Sequence, residues 1–295
     1  MKTAFLGLGA IGTPMARHVA AQSSLTVWNR TAETATTFAG ETGATTAPTP
    51  AAAATGADVV ITCLPTSREV ESLLDGADGL LAGIGAGTLL IDCTSGDPAT
   101  SRRIAARLAE RGIAFIDAPV SGGVSGAEAG TLTVMCGGDE VTFARARPVL
   151  EFFGRKIVLV GPVGSGDALK AVNNALLAVH IWSTAEGLAA LAKAGVKPSA
   201  ALDVINASSG RSNTSENLFP QRVVTRAFPR TFRLALLEKD VAIAADFLRD
   251  QRVPSPVIQQ VAELLRLARH ELGEAADHVE AVRLLEEWAD TVITD

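Results

Sequence analysis

Lys170 stands in the stretch Gly164-Ser165-Gly166-Asp167-Ala168-Leu169-Lys170-Ala171-Val172-Asn173-Asn174, and it is the side chain in this chain best suited to moving a proton. Alanine and leucine dominate from there to about Gly195, with no proline between, so the sequence predicts one long helix over 166–195. Helical positions four apart share a face, which points Lys170 and Asn174 the same way with Asn173 beside them. An ammonium beside an amide in apolar surroundings can give a proton to a developing alkoxide and stabilise its charge. The other reading of the same residues is that Lys170 reaches water along its apolar stem while the asparagines cap or pack.

Two glycine-rich stretches carry further chemistry. Gly7-Leu8-Gly9-Ala10-Ile11-Gly12 follows the apolar run Thr3-Ala4-Phe5-Leu6 and precedes a helical pattern beginning at Thr13. In that setting Gly7 permits a tight turn, Gly9 lets backbone approach a pyrophosphate, and Gly12 lets helix and strand pack closely. An acidic side chain about 20 residues past such glycines marks an NAD ribose site. Here the positions are Asn29-Arg30-Thr31, neutral then basic, which suits the 2′-phosphate of NADP and leaves NAD open as a second cofactor. The second stretch is Ser121-Gly122-Gly123, whose hydroxyl and successive backbone N–H groups can hold a carboxylate, or can simply serve turn geometry.

The elements that must position these groups alternate in type. Strand patterns occur at 3–7, 25–28, 57–64, 89–92, 113–117, 132–136 and 156–160, with helical patterns between them. That alternation predicts an α/β Rossmann domain, a doubly wound and mainly parallel sheet, over residues 1–162. Leu64-Pro65, Thr94-Ser95 and Ser121-Gly122-Gly123 all follow strands, so they are expected to meet at one crevice beyond the carboxyl ends. After Gly161-Pro162 the pattern turns helical. Residues 163–295 read as the long interdomain helix and an all-α C-terminal domain, with helices expected near 198–208, 217–226, 233–250, 254–272 and 277–292. Lys239-Asp240, at the head of an apolar run, reads by itself as an ordinary exposed ion pair.

Composition narrows the function classes. The 295 residues carry a net charge of −6 and 47% hydrophobic residues, which predicts a well-packed chain without a nucleic-acid partner. Cys63, Cys93 and Cys136 lie far apart in apolar runs, as free thiols of a reducing compartment do. Neither they nor His18, His180, His270 and His278 have metal spacing, so no metal is expected. The first apolar run leads into glycines and not into a cleavage site, and the long helix carries Asp167, Lys170, His180 and Glu186. A cytoplasmic protein without a membrane partner is therefore expected.

Taken together, the glycine turn, Asp117-Ala118-Pro119-Val120-Ser121-Gly122-Gly123, Gly164-Ser165-Gly166 with Lys170 and Asn173-Asn174, and Lys239-Asp240 resemble the β-hydroxyacid dehydrogenase family over essentially the whole chain. That family includes 3-hydroxyisobutyrate dehydrogenase, tartronate semialdehyde reductase and glyoxylate/succinic semialdehyde reductase. Ile11 departs from a frequent methionine, a conservative apolar change. The resemblance implies hydride transfer between NADP(H) and a short carboxylate-bearing β-hydroxyacid or semialdehyde, with Lys170 as general acid or base. It implies that Ser121, Gly122, Gly123, Asn173 and Asn174 hold substrate. It also implies that Lys239 reaches the nicotinamide end of the cofactor, and that the C-terminal domain forms a homodimer or homotetramer. Two rival readings are a non-catalytic dinucleotide-binding module and an imine reductase. Lys170 weighs against the second, because imine reductases commonly lack lysine there.

Overall fold

Strands in the first half of the chain are short aliphatic runs, and their alternate residues feed two separate cores. The computed structural model describes residues 1–295 and divides into two compact units, 1–170 and 171–295. The first unit contains β1 (Lys2–Leu6), α1 (Gly12–Ala20), β2 (Ser24–Trp28), α2 (Ala32–Thr42), β3 (Thr45–Thr46), α3 (Pro50–Ala54) and β4 (Val59–Thr62). It continues through α4 (Ser67–Ser72), α5 (Leu80–Gly83), β5 (Leu89–Asp92), α6 (Pro98–Ala109), β6 (Ala114–Asp117), β7 (Val120–Ser121), α7 (Gly123–Glu128), β8 (Leu132–Gly137), α8 (Glu140–Leu150) and β9 (Gly154–Gly161). Phe5, Ile61 and Ile91 face the core under α1, while Ala4, Leu6, Val60 and Leu90 face the core formed with Leu80, Ile104 and Leu108. A sheet buried on both faces needs such two-sided apolar strands.

The strand order is β3-β2-β1-β4-β5-β6-β8-β7, with β9 paired to β8. Pairs from β3 through β6 are parallel, whereas β8 runs antiparallel to β6 and β7 and parallel to β9. The expected mainly parallel, doubly wound sheet is present, with a mixed edge. Asp117 faces Gly137, and Val120 and Ser121 face Val134 and Thr133. That is one continuous register, so β6 and β7 act as a single strand interrupted at Pro119, which has no N–H to give the ladder. Asp97 begins α6 by accepting a 2.8 Å bond from the Thr100 N–H, with Pro98 in the first turn.

The helix α9 (Ser165–Lys193) begins in the first unit and continues into the second. The second unit adds α10 (Pro198–Asn206), a π-helix (Thr214–Val224), α11 (Leu234–Asp250), α12 (Pro256–Leu272), a 3₁₀ turn (His278–Glu280) and α13 (Ala281–Trp288). Ala171, Ala175, Ala178, Trp182, Ala185 and Ala189 of α9 form one stripe in a core with Phe219, Leu237, Val241, Leu265 and Val282. Their spacing of three and four residues is that of a single helix face. Trp182 stacks on Trp288 with ring centroids 6.0 Å apart.

Two helices differ from expectation. The segment expected to be an ordinary helix at 217–226 is the π-helix. There the Asn206 amide donates to the Ser215 carbonyl at 3.0 Å, diverting it from an α-helical ladder, and Pro220 supplies no N–H of its own. The expected helix at 277–292 is a 3₁₀ turn leading into the shorter α13. Asp277 caps that turn through a reciprocal box with Glu280.

Candidate active site

The glycine-rich turn between β1 and α1 is held by its own protein atoms. The Gly7 N–H donates to the Trp28 carbonyl at 3.1 Å, and the Leu8 N–H donates to Asn29 Oδ1 at 3.0 Å. Gly7 has φ of +107°, which glycine tolerates, and a Cβ on Gly12 would strike the Gly7 carbonyl oxygen. Gly9 differs, because nothing lies within 4 Å of the place its Cβ would take. Packing within the protein does not require glycine at that position. The open space over the turn is the cradle a pyrophosphate would fill, at the start of α1. The donor set therefore fits a dinucleotide.

The Asn29 side chain ties the turn to the end of β2: its Oδ1 accepts from the Leu8 N–H and its Nδ2 donates to the Thr31 carbonyl at 3.1 Å. It braces the turn from inside, and Arg30 and Thr31 are left exposed beyond β2.

The structure brings two of the expected strand-end loops together. The Leu64 N–H donates to Thr94 Oγ1 at 3.0 Å, joining the Leu64-Pro65 segment after β4 to Thr94-Ser95 after β5. Asp92 Oδ1 accepts from Thr62 Oγ1 at 2.8 Å and from the Thr94 N–H at 3.0 Å. Burial, with the Asp92 charge beside it, pushes the Cys63 thiol up to about 12, so it stays protonated and is no nucleophile. Ser121-Gly122-Gly123 is not the open loop its glycines suggest. Ser121 ends β7, Gly122 has φ of +139°, and Gly123 opens α7. Both glycines remain exposed, with their backbone available from solvent.

A second feature, unforeseen from sequence, lies where α9 starts. Asp117, at the end of β6, accepts from the Gly164 N–H at 2.7 Å and from the Asp167 N–H at 3.0 Å, one bond to each oxygen. Asp167 accepts from the Gly96 N–H at 3.0 Å and from Ser101 Oγ at 2.6 Å. Burial pushes the Asp117 carboxyl up to about 6 with help from the Asp92 charge, against the pull of those N–H donors. Burial likewise raises Asp167 well above the usual range, and the Asp117 and Asp92 charges add to it. Lys170 follows one turn later in α9 and is only 9% exposed. That burial weighs against the reading in which it reaches water.

In the second unit Asn174 is buried and Asn173 exposed. Asn174 Nδ2 donates to Asp240 Oδ2 at 2.6 Å, and the other Asp240 oxygen lies 3.0 Å from Lys239 Nζ. Asp240 is 3% exposed, so Lys239-Asp240 is not the exposed surface pair its sequence suggests. This carboxylate orients both an amide and an ammonium. The sequence signal was available: Asp240 lies on the buried stripe of Leu234, Leu237, Val241 and Ala244.

A parallel sheet with this turn and strand-end crevice defines a nicotinamide-dinucleotide-binding domain. The profile of the NAD binding domain of 6-phosphogluconate dehydrogenase matches residues 2–161, and that of the NAD-binding region of NADP-dependent 3-hydroxyisobutyrate dehydrogenase matches 164–285. The chain is 41% identical over 249 residues to 3-hydroxyisobutyrate dehydrogenase of Pseudomonas aeruginosa, covering 82% of this chain and 83% of that one. It is 37% identical over 270 residues to the NAD-dependent L-serine dehydrogenase of the same organism, covering 90% and 91%. The solved 3-hydroxyisobutyrate dehydrogenase of Mycobacterium tuberculosis with L-serine superposes with a TM-score of 0.88 at 32% identity, covering 96% of this chain and 98% of that chain. The chain belongs to the β-hydroxyacid dehydrogenase family, and it is a hydroxyacid dehydrogenase that uses a nicotinamide dinucleotide.

Proposed function

We propose that the chain interconverts a short acid semialdehyde and the corresponding hydroxyacid with NADP(H), either a β-hydroxyacid of the 3-hydroxyisobutyrate kind or the product of glyoxylate or succinic semialdehyde reduction, with Lys170 serving as general acid in reduction and general base in oxidation. The observation that carries this is a lysine buried to 9% exposure on α9, one turn before a buried asparagine. Lysines are almost never so buried without a specific task or partner. NADPH when bound supplies the hydride. The chain supplies the rest. Ser121 and the backbone of Gly122 and Gly123 hold the substrate carboxylate, and Asn174, with Asn173 beside it, orients the reacting end. Lys170 gives its proton to the carbonyl oxygen as that carbon becomes tetrahedral, so aldehyde, hydride and proton become a primary alcohol. Gly7 to Gly12 with Leu64, Pro65, Thr94 and Ser95 hold the cofactor, and Lys239 its nicotinamide end.

Preference for NADP rests on Arg30 and Thr31, exposed where an NAD site places a carboxylate. The name of the serine dehydrogenase relative favours NAD, so both cofactors belong in the test. Initial rates with NADPH and NADH against succinic semialdehyde, glyoxylate, tartronate semialdehyde and methylmalonate semialdehyde are the direct measurement. Oxidation of 3-hydroxyisobutyrate and L-serine runs alongside. Lys170→Ala is expected to lose about 100-fold or more in turnover while still binding NADPH; a mutant with wild-type turnover sinks the assignment.

The same proposal makes the protein cytoplasmic, acting on a small carboxylate with no nucleic-acid or membrane partner. Ser165–Lys193 is long and apolar enough to cross a bilayer, but it carries buried Asp167, Lys170 and Asn174, which suits an internal helix. The proposal includes association as a homodimer or homotetramer through the second unit.

A further inference from the structure

Asp167 precedes Lys170 by three residues and belongs to the same turn-to-turn face of α9. Both of its oxygens are engaged. Oδ1 takes the Gly96 N–H, next in sequence to the Thr94-Ser95 segment, and Oδ2 takes the Ser101 hydroxyl in the first turn of α6. Its own N–H is fixed in turn by Asp117, which also holds Gly164. The carboxylates sit against glycines at close quarters. A Cβ on Gly96 would come within 3.1 Å of Asp167 Oδ2, one on Gly166 within 2.8 Å of Asp117 Oδ2, and one on Gly137 within 2.5 Å of Asp117 Oδ1. Two buried acids raised in pKa burden the fold at neutral pH, where an apolar filling would be the easier solution. What the acids provide in return is a fixed start to the helix bearing Lys170.

We propose that Asp167 is a positioning residue for Lys170: its two oxygens pin the first turn of α9 to the segment after β5 and to α6, and so fix where the lysine side chain can reach. The inference rests on the assignment of Lys170 as the acid and base. Asp167 does not touch the substrate in this account. It acts by holding the backbone from which Lys170 projects, where a displacement of about 1 Å costs on the order of 100-fold in rate.

The test is a double-mutant cycle on the full chain. The probe is succinic semialdehyde or methylmalonate semialdehyde, whichever the wild type reduces faster, with saturating NADPH and raised enzyme concentration for the slow variants. Asp167→Ala is expected to lower kcat about 10- to 100-fold with the NADPH Kd within about twofold of wild type. Asp167→Asn is expected to stay within about threefold. Its amide oxygen can accept from Gly96 and its NH₂ can donate to the Ser101 hydroxyl, so geometry survives without the charge. In a Lys170→Ala background, Asp167→Ala should add less than about a twofold loss, because the group it positions is gone.

If Asp167→Ala does not fold, Ser101→Ala takes its place in the cycle, with an expected loss of about 3- to 10-fold that also vanishes without Lys170. Losses that multiply in the double mutant overturn the inference and leave the Lys170 assignment standing. So does unchanged kcat in Asp167→Ala or, where that variant does not fold, in Ser101→Ala. An Asp167→Asn loss as large as that of Asp167→Ala would replace positioning with a charge effect. Wild-type turnover that does not depend on Lys170 overturns both.

Discussion

Arg30 and Asp240 separate recognition from orientation among single side chains. Arg30 is exposed at the end of β2 and belongs to no buried network, so its loss should leave the fold intact. Arg30→Ala is expected to weaken NADPH about 10- to 100-fold, the range for a lost hydrogen bond to a charged group, and to leave NADH unchanged. Paired titrations of the two cofactors check this, and equal losses would remove the phosphate contact from the account. Asp240 is the opposite case. Asp240→Ala leaves the buried Asn174 amide without its 2.6 Å acceptor, an expected cost of about 1–3 kcal/mol in urea unfolding. Catalysis should also fall, because Asn174 loses its fixed orientation. A variant of wild-type stability and turnover would mean that the amide finds another partner at no cost.

Among the elements, the glycine turn offers a contrast between two substitutions of the same size. Gly12→Ala drives a Cβ into the Gly7 carbonyl and should destabilise the protein by about 1–3 kcal/mol. Gly9→Ala meets open space, so Tm should hold while NADPH affinity falls at least about tenfold. Loss of Tm in Gly9→Ala, seen by calorimetry without cofactor, would contradict the cradle. Much of this element scale was legible in the residues: the two-sided aliphatic strands, the helix from about Ser165 and the glycine turn each follow local chemistry. What stayed hidden depends on contacts distant in sequence. β7 is two residues long and is a strand only because Pro119 interrupts a register shared with β6. The π-helix depends on Asn206 capturing a carbonyl nine residues away. Asp117 and Asp167 look like polar residues at a strand end and a helix start, and only the Gly96, Ser101 and Gly164 contacts reveal them as a brace. The turn of the Asn29 amide towards Leu8 is hidden for the same reason.

Over the whole molecule the two units carry carboxyl groups shifted in opposite directions. The folded value of Asp117, about 6, lies above its unfolded value near 3.9. Its contribution to stability is therefore fully present below that unfolded value and is lost as pH rises through about 6. Asp277 in the second unit goes the other way. Burial alone would raise it, but the His278 contact and the N–H groups of Phe232 and Thr231 outweigh that and hold it below the ordinary range. Its contribution is present above the unfolded value and is lost as pH falls towards the depressed folded one. Between pH 7 and 5, Asp117 should stabilise residues 1–170 on acidification, by about 1 kcal/mol, with the rest of its contribution gained between pH 5 and its unfolded value. Asp117→Asn should flatten that dependence. Hydrogen–deuterium exchange of peptides spanning 113–119 and 228–240 reads the two units separately. Slower exchange of the first peptide at pH 7 than at pH 5, after correction for intrinsic rates, would refute the sign.

The chain has three tryptophans and no tyrosine. Trp28 closes β2, and its carbonyl receives the Gly7 N–H at the dinucleotide turn, while Trp182 stacks on Trp288 in the second unit. Ultraviolet emission thus divides cleanly, with one indole beside the turn and a coupled pair elsewhere. Trp28→Phe would leave a molecule whose light comes from residues 171–295 alone. The difference from wild type is then a spectrum of the cofactor turn, recorded without attaching any dye.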